Sequence, residues 1–308
     1  MSFGLPRKYP WLDLRVTPSY GALKQRSWIL GHQISSMVFN FSDIVILSAF
    51  CGLQTVSVYS VYRLVMSGIS SVVATLNNGL IFIVGQKYHE DLKECRRLFD
   101  AYNMVYVTVV VALMNVCLFL FVPFVRLYTR GADIDYVVRY LPLLLCEVQI
   151  LTSARSVASN LITVAGKFRE TIWRSIAETT INIAVSVVCV QFVGIYGVVL
   201  GILTALAYRT NDMMIFTNRR ILQRRAMSGY RSLIVGAGLY VVGVVCSVKL
   251  SVVVVSLGGL LVMAVLGCAA SLVVCCVVMS ACCPGEAAYV SRYVRAVLKQ
   301  SRFGSSVG

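Results

Sequence analysis

The chain has 308 residues, of which 58% are hydrophobic and only 13% charged, and its mean hydropathy is +0.79. Soluble domains carry roughly 25% charged residues, so this chain cannot coat a globule in polar surface, and both soluble-enzyme and disordered classes are excluded. The 28 Lys and Arg outnumber the 13 Asp and Glu to give a net charge of +15, and where those charges fall decides whether they serve nucleic acid or membrane topology.

The first segment, with Pro6, Pro10, Trp11 and Pro18 ahead of any apolar run, lacks the charged start and short apolar core of a cleavable signal, so the chain is expected to insert through its own spans. Eight runs are long enough to cross ~30 Å of hydrocarbon at 1.5 Å per residue. They are Trp28 to Cys51, Val56 to Val84, Tyr102 to Leu127, Arg139 to Val164, Ser175 to Phe192, Ile195 to Phe216, Ser232 to Val248 and Val252 to Met279. The fifth and sixth are divided at Val193-Gly194, the seventh and eighth at Lys249.

With this division, five basic residues precede the first run, four follow the second, three follow the fourth, five follow the sixth and four lie in the tail, placing 21 of the 28 on one side. A wrong number of spans would scatter them over both sides, so the basic side is read as the cytoplasm, with both termini there. The charges are spread over five segments instead of forming one stripe, which excludes nucleic acid as a partner. In the tail, Val290, Val294, Val297 and Leu298 share one helical face while Arg292, Arg295 and Lys299 lie elsewhere. That pattern suits either a helix on anionic membrane lipids or a solvated basic tail.

Of the 11 cysteines, most lie inside apolar runs, there is no CxxC, and the two histidines, His32 and His89, are far apart, so no metal site is expected. Short connections leave no room for a catalytic domain outside the bilayer. No phosphate-binding Gly-rich loop, nucleophile elbow or HExxH occurs, so no cofactor and no enzyme activity are expected.

Polar residues inside the spans are costly and therefore informative. They concentrate in the first six runs, among them His32, Asn40, Asp43, Arg63, Asn77, Glu147, Arg155, Asn160, Glu178, Asn182, Arg209 and Asp212, whereas the last two runs hold no ionisable side chain. Arg63 and Arg155 are deep, and two guanidinium groups in a water-filled cavity would bind an anion such as a diphosphate; the alternative is that each pairs with a carboxylate in the bundle. Arg209 with Asp212 and Arg174 with Glu178 have the spacing of local helix ion pairs. Asp43 has no basic residue within a turn on its own helix, and with Asn182 and Thr204 it would form an oxygen site for a coupling cation, or carry a proton alone; the alternative is a salt bridge to a neighbouring span.

Two stretches resemble a known family. Phe41-Ser-Asp-Ile-Val-Ile-Leu-Ser-Ala-Phe-Cys-Gly-Leu-Gln-Thr-Val-Ser-Val-Tyr-Ser-Val-Tyr-Arg63 resembles a pattern found midway along bacterial polysaccharide flippases of the multidrug/oligosaccharidyl-lipid/polysaccharide exporter superfamily: an S/T-D acid, an apolar run, G-x-x-x-V-x-x-Y-S, then Y-R. The second stretch is similar to a later part of the same family. It comprises Ala165-Gly-Lys-Phe-Arg-Glu-Thr171, Ser175, Glu178, Asn182, Ser186, Gly194-Ile-Tyr-Gly-Val198, Gly201, Tyr208-Arg209 and Asp212.

Such proteins have two six-helix lobes around a central cavity, and the S-D stretch usually falls in the seventh span; here it falls in the first. The apolar runs read as an all-α polytopic membrane protein of about eight transmembrane helices, and the resemblance divides it. Its parts would be a cytoplasmic arm (1–27), one six-helix lobe like the second lobe of a flippase (28–216), a basic loop (217–231), two extra helices (232–279) and a basic tail (280–308). The resemblance implies export of undecaprenyl-diphosphate-linked oligosaccharide across the bacterial inner membrane for surface polysaccharide assembly. In that role Arg63 and Arg155 would meet the diphosphate, while Asp43, Asn182 and Thr204 would couple a cation or proton. A lone lobe implies a further partner: a first lobe, a second copy or glycan-assembly proteins. The alternatives are a drug or small-molecule exporter of the same superfamily and a non-transporting scaffold of a glycan-synthesis complex.

Overall fold

The computed structural model describes residues 20–249 and 256–304. The start of the N-terminal arm, the beginning of the eighth apolar run at Val252 and the last four residues of the basic tail lie outside the described residues. Among the described residues every regular element is helical: α1 (Tyr20–Glu90), α2 (Leu92–Tyr128), α3 (Leu141–Val164), α4 (Phe168–Val193), α5 (Ile195–Phe216), α6 (Tyr230–Lys249), α7 (Leu257–Cys282) and α8 (Pro284–Gly304). A π-helical turn, Thr217–Ile221, extends α5.

Seven of these helices are long and apolar enough to cross a membrane, making the chain a multi-pass membrane protein. The first spanning stretch, Trp28–Asn77, has 50 residues, about 75 Å of helix and more than twice the hydrocarbon thickness. It cannot be one straight span. Gly52, with φ 81° and ψ 169°, interrupts α1 in a region of backbone space that is essentially restricted to glycine. Across it Arg63 bonds to both Asp43 and Asn40, contacts that a continuous helix would hold about 30 Å apart. The chain therefore reverses at Gly52, and α1 is two antiparallel arms, as the sequence division between the first two runs expects.

The next reversals have simple local causes. Asp91, extended at φ −147°, separates α1 from α2 and accepts from Lys93 N (2.7 Å), as an N-cap does. At this turn Lys87 and Glu90 are bonded at 2.9 Å, which raises the Lys87 ammonium pKa and lowers that of the Glu90 carboxyl. Gly194, at φ 59°, divides α4 from α5, matching the division read at Val193-Gly194. These two helices then meet closely at Gly201, where an added Cβ would overlap Ser186 Oγ and approach Asn182 O to 2.8 Å.

The core lies on the two arms of α1 with α2, α3 and α5, and includes the fully buried Leu47, Tyr59, Tyr62, Phe121, Leu161 and Leu206. Tyr62 stacks on Phe121 with centroids 5.2 Å apart. Its hydroxyl donates to Tyr136 O (3.0 Å) and accepts from Val138 N (2.8 Å), which fixes the α2–α3 connection at the Gly52 end of the bundle.

At the opposite, basic end, Arg224 holds Asp100 with two guanidinium nitrogens. Arg96 Nε donates to Leu222 O at 2.6 Å. Helices α6 and α7 both pack on α2: Asn103 Nδ2 donates to Ser232 Oγ (2.9 Å), Tyr240 of α6 also reaches Leu143 O (2.7 Å), and Ser271 Oγ donates to Ala112 O (3.1 Å). Most of α7 is exposed, including Val265, Leu266, Val273 and Val277, the surface expected to face lipid.

Candidate functional site, a charged cleft inside the helical bundle

Two adjoining cavities open between the arms of α1 and helices α3, α4 and α5. One, of about 270 Å³, has many hydroxyl and amide side chains in its wall, Ser35, Ser36, Thr152, Ser156, Asn160 and Thr179 among them, beside Glu178, Arg209, Phe39 and Met213. The other, of about 320 Å³, combines Asp43, Arg63 and Gln149 with Met66, Leu145, Val148, Ile202 and Leu206. Phe39, Thr152 and Arg155 belong to both walls. Neither cavity is lined by α2, α6 or α7, in keeping with the absence of ionisable groups in the last two apolar runs.

Local packing sets this cleft. The first arm of α1 is stitched to α4 by Ser35 Oγ to Ser175 O (3.0 Å), Ser35 to Thr179 (2.9 Å) and Asn182 Nδ2 to Ser42 Oγ (3.1 Å). His32 and Thr171 lie 3.2 Å apart on the same seam. The second arm is tied to α3 by Ser70 Oγ to Gln149 Oε1 (2.7 Å). Asn77 accepts from both Tyr102 (2.6 Å) and Asn160 (2.9 Å). With one arm held by α4 and the other by α3, the space between them remains as the cleft. Ser36, Asn40 and Ser67 on its rim are exposed.

The ionisable residues form two groups. Asp43 is 5% exposed. It accepts from Ile44 N (2.8 Å), Tyr59 Oη (2.9 Å) and Arg63 Nη1 (3.0 and 3.1 Å). The acid that stands alone on its own helix thus has its cation on the opposite arm of the hairpin, which sequence spacing along one helix does not reveal.

The second group is an alternating chain. Arg155 of α3 pairs with Glu178 of α4; the other Glu178 oxygen is 3.4 Å from Arg209 Nε; Arg209 Nη1 is 3.1 Å from Asp212; and Asp212 also pairs with Arg174. Arg209, 1% exposed, sits at its centre. The Arg209–Asp212 pair has the i, i+3 form expected from the sequence. The expected Arg174–Glu178 pair does not form: Glu178 turns inward to Arg155 and Arg209, and Arg174 takes Asp212. A carboxylate between the buried Arg209 and the partly buried Arg155 gains more than it would from one exposed cation.

Arg63 and Arg155 both line the cleft, and each has a carboxylate partner, so the pairing alternative describes their resting contacts. Arg63 lies 11 residues beyond Gly52 and Arg155 lies 14 residues into α3, depths of about 16 and 21 Å from the Gly52 end. The structure does not assemble Asp43, Asn182 and Thr204 into one oxygen site. Asn182 is buried and bonded to Ser42, next to Asp43 in sequence, but Thr204 is exposed and donates to Leu200 O (2.8 Å). Among the described residues no cluster of His, Cys, Asp and Glu has the form of a metal site.

Sequence reasoning gave no role to Tyr59 or Gln149; Tyr59 stood in the quoted motif, and its register opposite Asp43 in the hairpin was the available signal. Across the lining, Arg63, Arg155 and Arg209 face Asp43 and Glu178, leaving an excess of one positive charge. No family model, no curated protein and no solved structure matches the chain.

Proposed function

We propose that this chain is one lobe of a transporter that moves an anionic amphiphile across the bacterial inner membrane, with undecaprenyl-diphosphate-linked oligosaccharide as the substrate. The observation behind this reading is the shared wall at Arg155. On one side of it is a compartment with many hydroxyls and amides in its wall, suited to sugar; on the other is a compartment with five aliphatic or thioether side chains, suited to hydrocarbon. A diphosphate joining the two parts of such a molecule would meet the guanidinium between them. The excess positive charge of the lining favours an anion over a drug-like cation.

Both termini are cytoplasmic in this reading, since Lys87, Arg96, Arg97, Lys167, Arg219, Arg220 and Arg225 gather at one end of the bundle and the positive-inside bias assigns that end to the cytoplasm. The exposed rim of the cleft would be closed by a facing lobe, and transport would proceed by rocking of the two around the site. Substrate phosphate would compete with Glu178 for Arg155 and with Asp43 for Arg63. The carboxylate released in either exchange is the group that would take up a proton or cation.

The test is complementation. In cells deleted for the gene, the wild-type chain should restore surface polysaccharide, while Arg155→Gln should leave lipid-linked oligosaccharide accumulated inside with the chain still present in the membrane. Full export by a stably expressed R155Q would sink the reading.

A further inference from the structure

At the basic end a third cavity lies outside the cleft and outside the proposed transport path. It has a volume of about 430 Å³ and is lined by Arg97 and Asp100 of α2 with Gly285, Glu286, Tyr289 and Arg292 of α8. Its depth in the bilayer follows from α2, whose 37 residues make about 55 Å of helix against ~30 Å of hydrocarbon. The surplus is at the start, where Lys93, Glu94, Arg96, Arg97, Asp100 and Asn103 occupy the first turns. Those turns therefore stand in the headgroup layer. Helix α8 begins at the same level, since only Cys283 separates it from the end of α7.

The charges of this cavity are unevenly satisfied. Asp100 is held by two nitrogens of Arg224, one at 2.7 Å. Arg97 makes no hydrogen bond or ion pair among the described residues, and Arg292 uses only its Nε, on Ala288 O at 3.2 Å. With Glu286 counted, one positive charge remains in excess.

Apolar side chains are exposed on α8 and on the neighbouring α7. Tyr293 and Val294 are 45% and 48% exposed, and Val273 and Val277 of α7 are exposed as well. By helical register Val290 and Val294 share a face of α8 and Arg295 lies off it, and no acidic residue occurs from Ala287 to Gly304. A solvated basic tail would have no use for that apolar face, whereas a free phosphate would have no use for the exposed apolar side chains.

We propose that α8 and the first turns of α2 form a binding site for an anionic phospholipid, its phosphate between Arg97 and Arg292 and its acyl chains along Tyr293 and Val294 toward the exposed side of α7. Basic pockets between helices at the headgroup level and amphipathic helices with a basic face are both means of holding such lipids.

The experiment is lipid binding to the purified full-length chain in mild detergent, read by native mass spectrometry with added phosphatidylglycerol or phosphatidylcholine. Phosphatidylglycerol should bind the wild type at least tenfold more tightly than phosphatidylcholine. Arg97→Gln and Arg292→Gln should each weaken it roughly fivefold, the equivalent of about 1 kcal/mol per basic residue at a membrane surface. Because both arginines are on the surface, R97K/R292K serves as the check on folding and should keep most of the binding. Val294→Asp should lower phosphatidylglycerol binding with both arginines in place. Equal binding of the two lipids, or a preference unchanged in R97Q/R292Q, would overturn the proposal. So would full displacement of the lipid by millimolar inorganic phosphate together with normal binding by V294D, which would identify a free-phosphate pocket.

Discussion

Arg63 reaches back over 20 residues of sequence to place Nη1 3.0 and 3.1 Å from the two carboxylate oxygens of Asp43. The pair closes the α1 hairpin and stands in the wall of the cleft, so it serves the fold and the site together. Arg63→Gln should destabilise the chain by roughly 1–3 kcal/mol, less than a fully buried pair would lose because the Arg63 side chain is 34% exposed. Asp43→Asn in the same molecule should recover much of that loss, since no buried charge is then left without a partner. A double-mutant cycle by thermal unfolding in detergent reads the coupling; a value under about 0.5 kcal/mol would show that the pair does not hold the hairpin.

Gly52 and Gly68 provide a matched comparison on the same helix. An added Cβ meets nothing within 4 Å at either position, but only Gly52 has a positive φ, of 81°. Gly52→Ala should therefore cost about 1–3 kcal/mol through backbone strain alone. Gly68→Ala should be neutral or stabilising by up to about 1 kcal/mol, the difference in helix propensity. Equal thermal stability of the two variants would mean that α1 does not reverse at Gly52.

The Arg224–Asp100 pair fastens the connection between α5 and α6, a segment rich in arginine. Loss of hydrogen bonds to a charged group costs roughly 1.5–3 kcal/mol. Asp100→Asn should accordingly open this connection locally, and limited trypsin digestion should cut at Arg219, Arg220 or Arg225 several times faster than in the wild type. Cleavage at the wild-type rate would place the restraint in Arg96 and its bond to Leu222 O instead.

The spans were legible in the sequence because their signal is local. A run of apolar residues, a glycine at a reversal and a basic connection can each be read without knowing what packs against what, and the division at Val193-Gly194 coincides with a helix end in the structure. Pairing is not local. Asp43 looks isolated because its cation is on the other arm, and Arg174 and Glu178 look like partners because they are one turn apart, whereas the buried Arg209 and the partly buried Arg155 draw Glu178 inward. Thr204 had the right atom type for a cation site, but it projects from the exposed face of α5 and bonds its own helix. Helix register against unseen neighbours decided each of these cases, and one sequence does not contain it.

Glu178 shares its two oxygens between Arg155 and Arg209. Glu178→Gln removes one of two carboxylates facing the cleft, leaves Arg155 without its partner and leaves Arg209, 1% exposed, with Asp212 alone. Two consequences oppose each other. Thermal stability should fall by roughly 3–5 kcal/mol, the cost of breaking a buried ion pair. Affinity for an anion in the cleft should rise, because the lining gains a positive charge and Arg155 is released from its partner. Arg155→Gln should act oppositely on binding, removing the guanidinium common to both cavities. Inorganic pyrophosphate is a suitable probe, since a ligand that binds only the folded chain raises its unfolding temperature. The shift should be largest for E178Q, intermediate for the wild type and smallest for R155Q. The same shift in all three would show that the anion does not bind at Arg155, and the alternating charges would then be a structural tie between α3, α4 and α5.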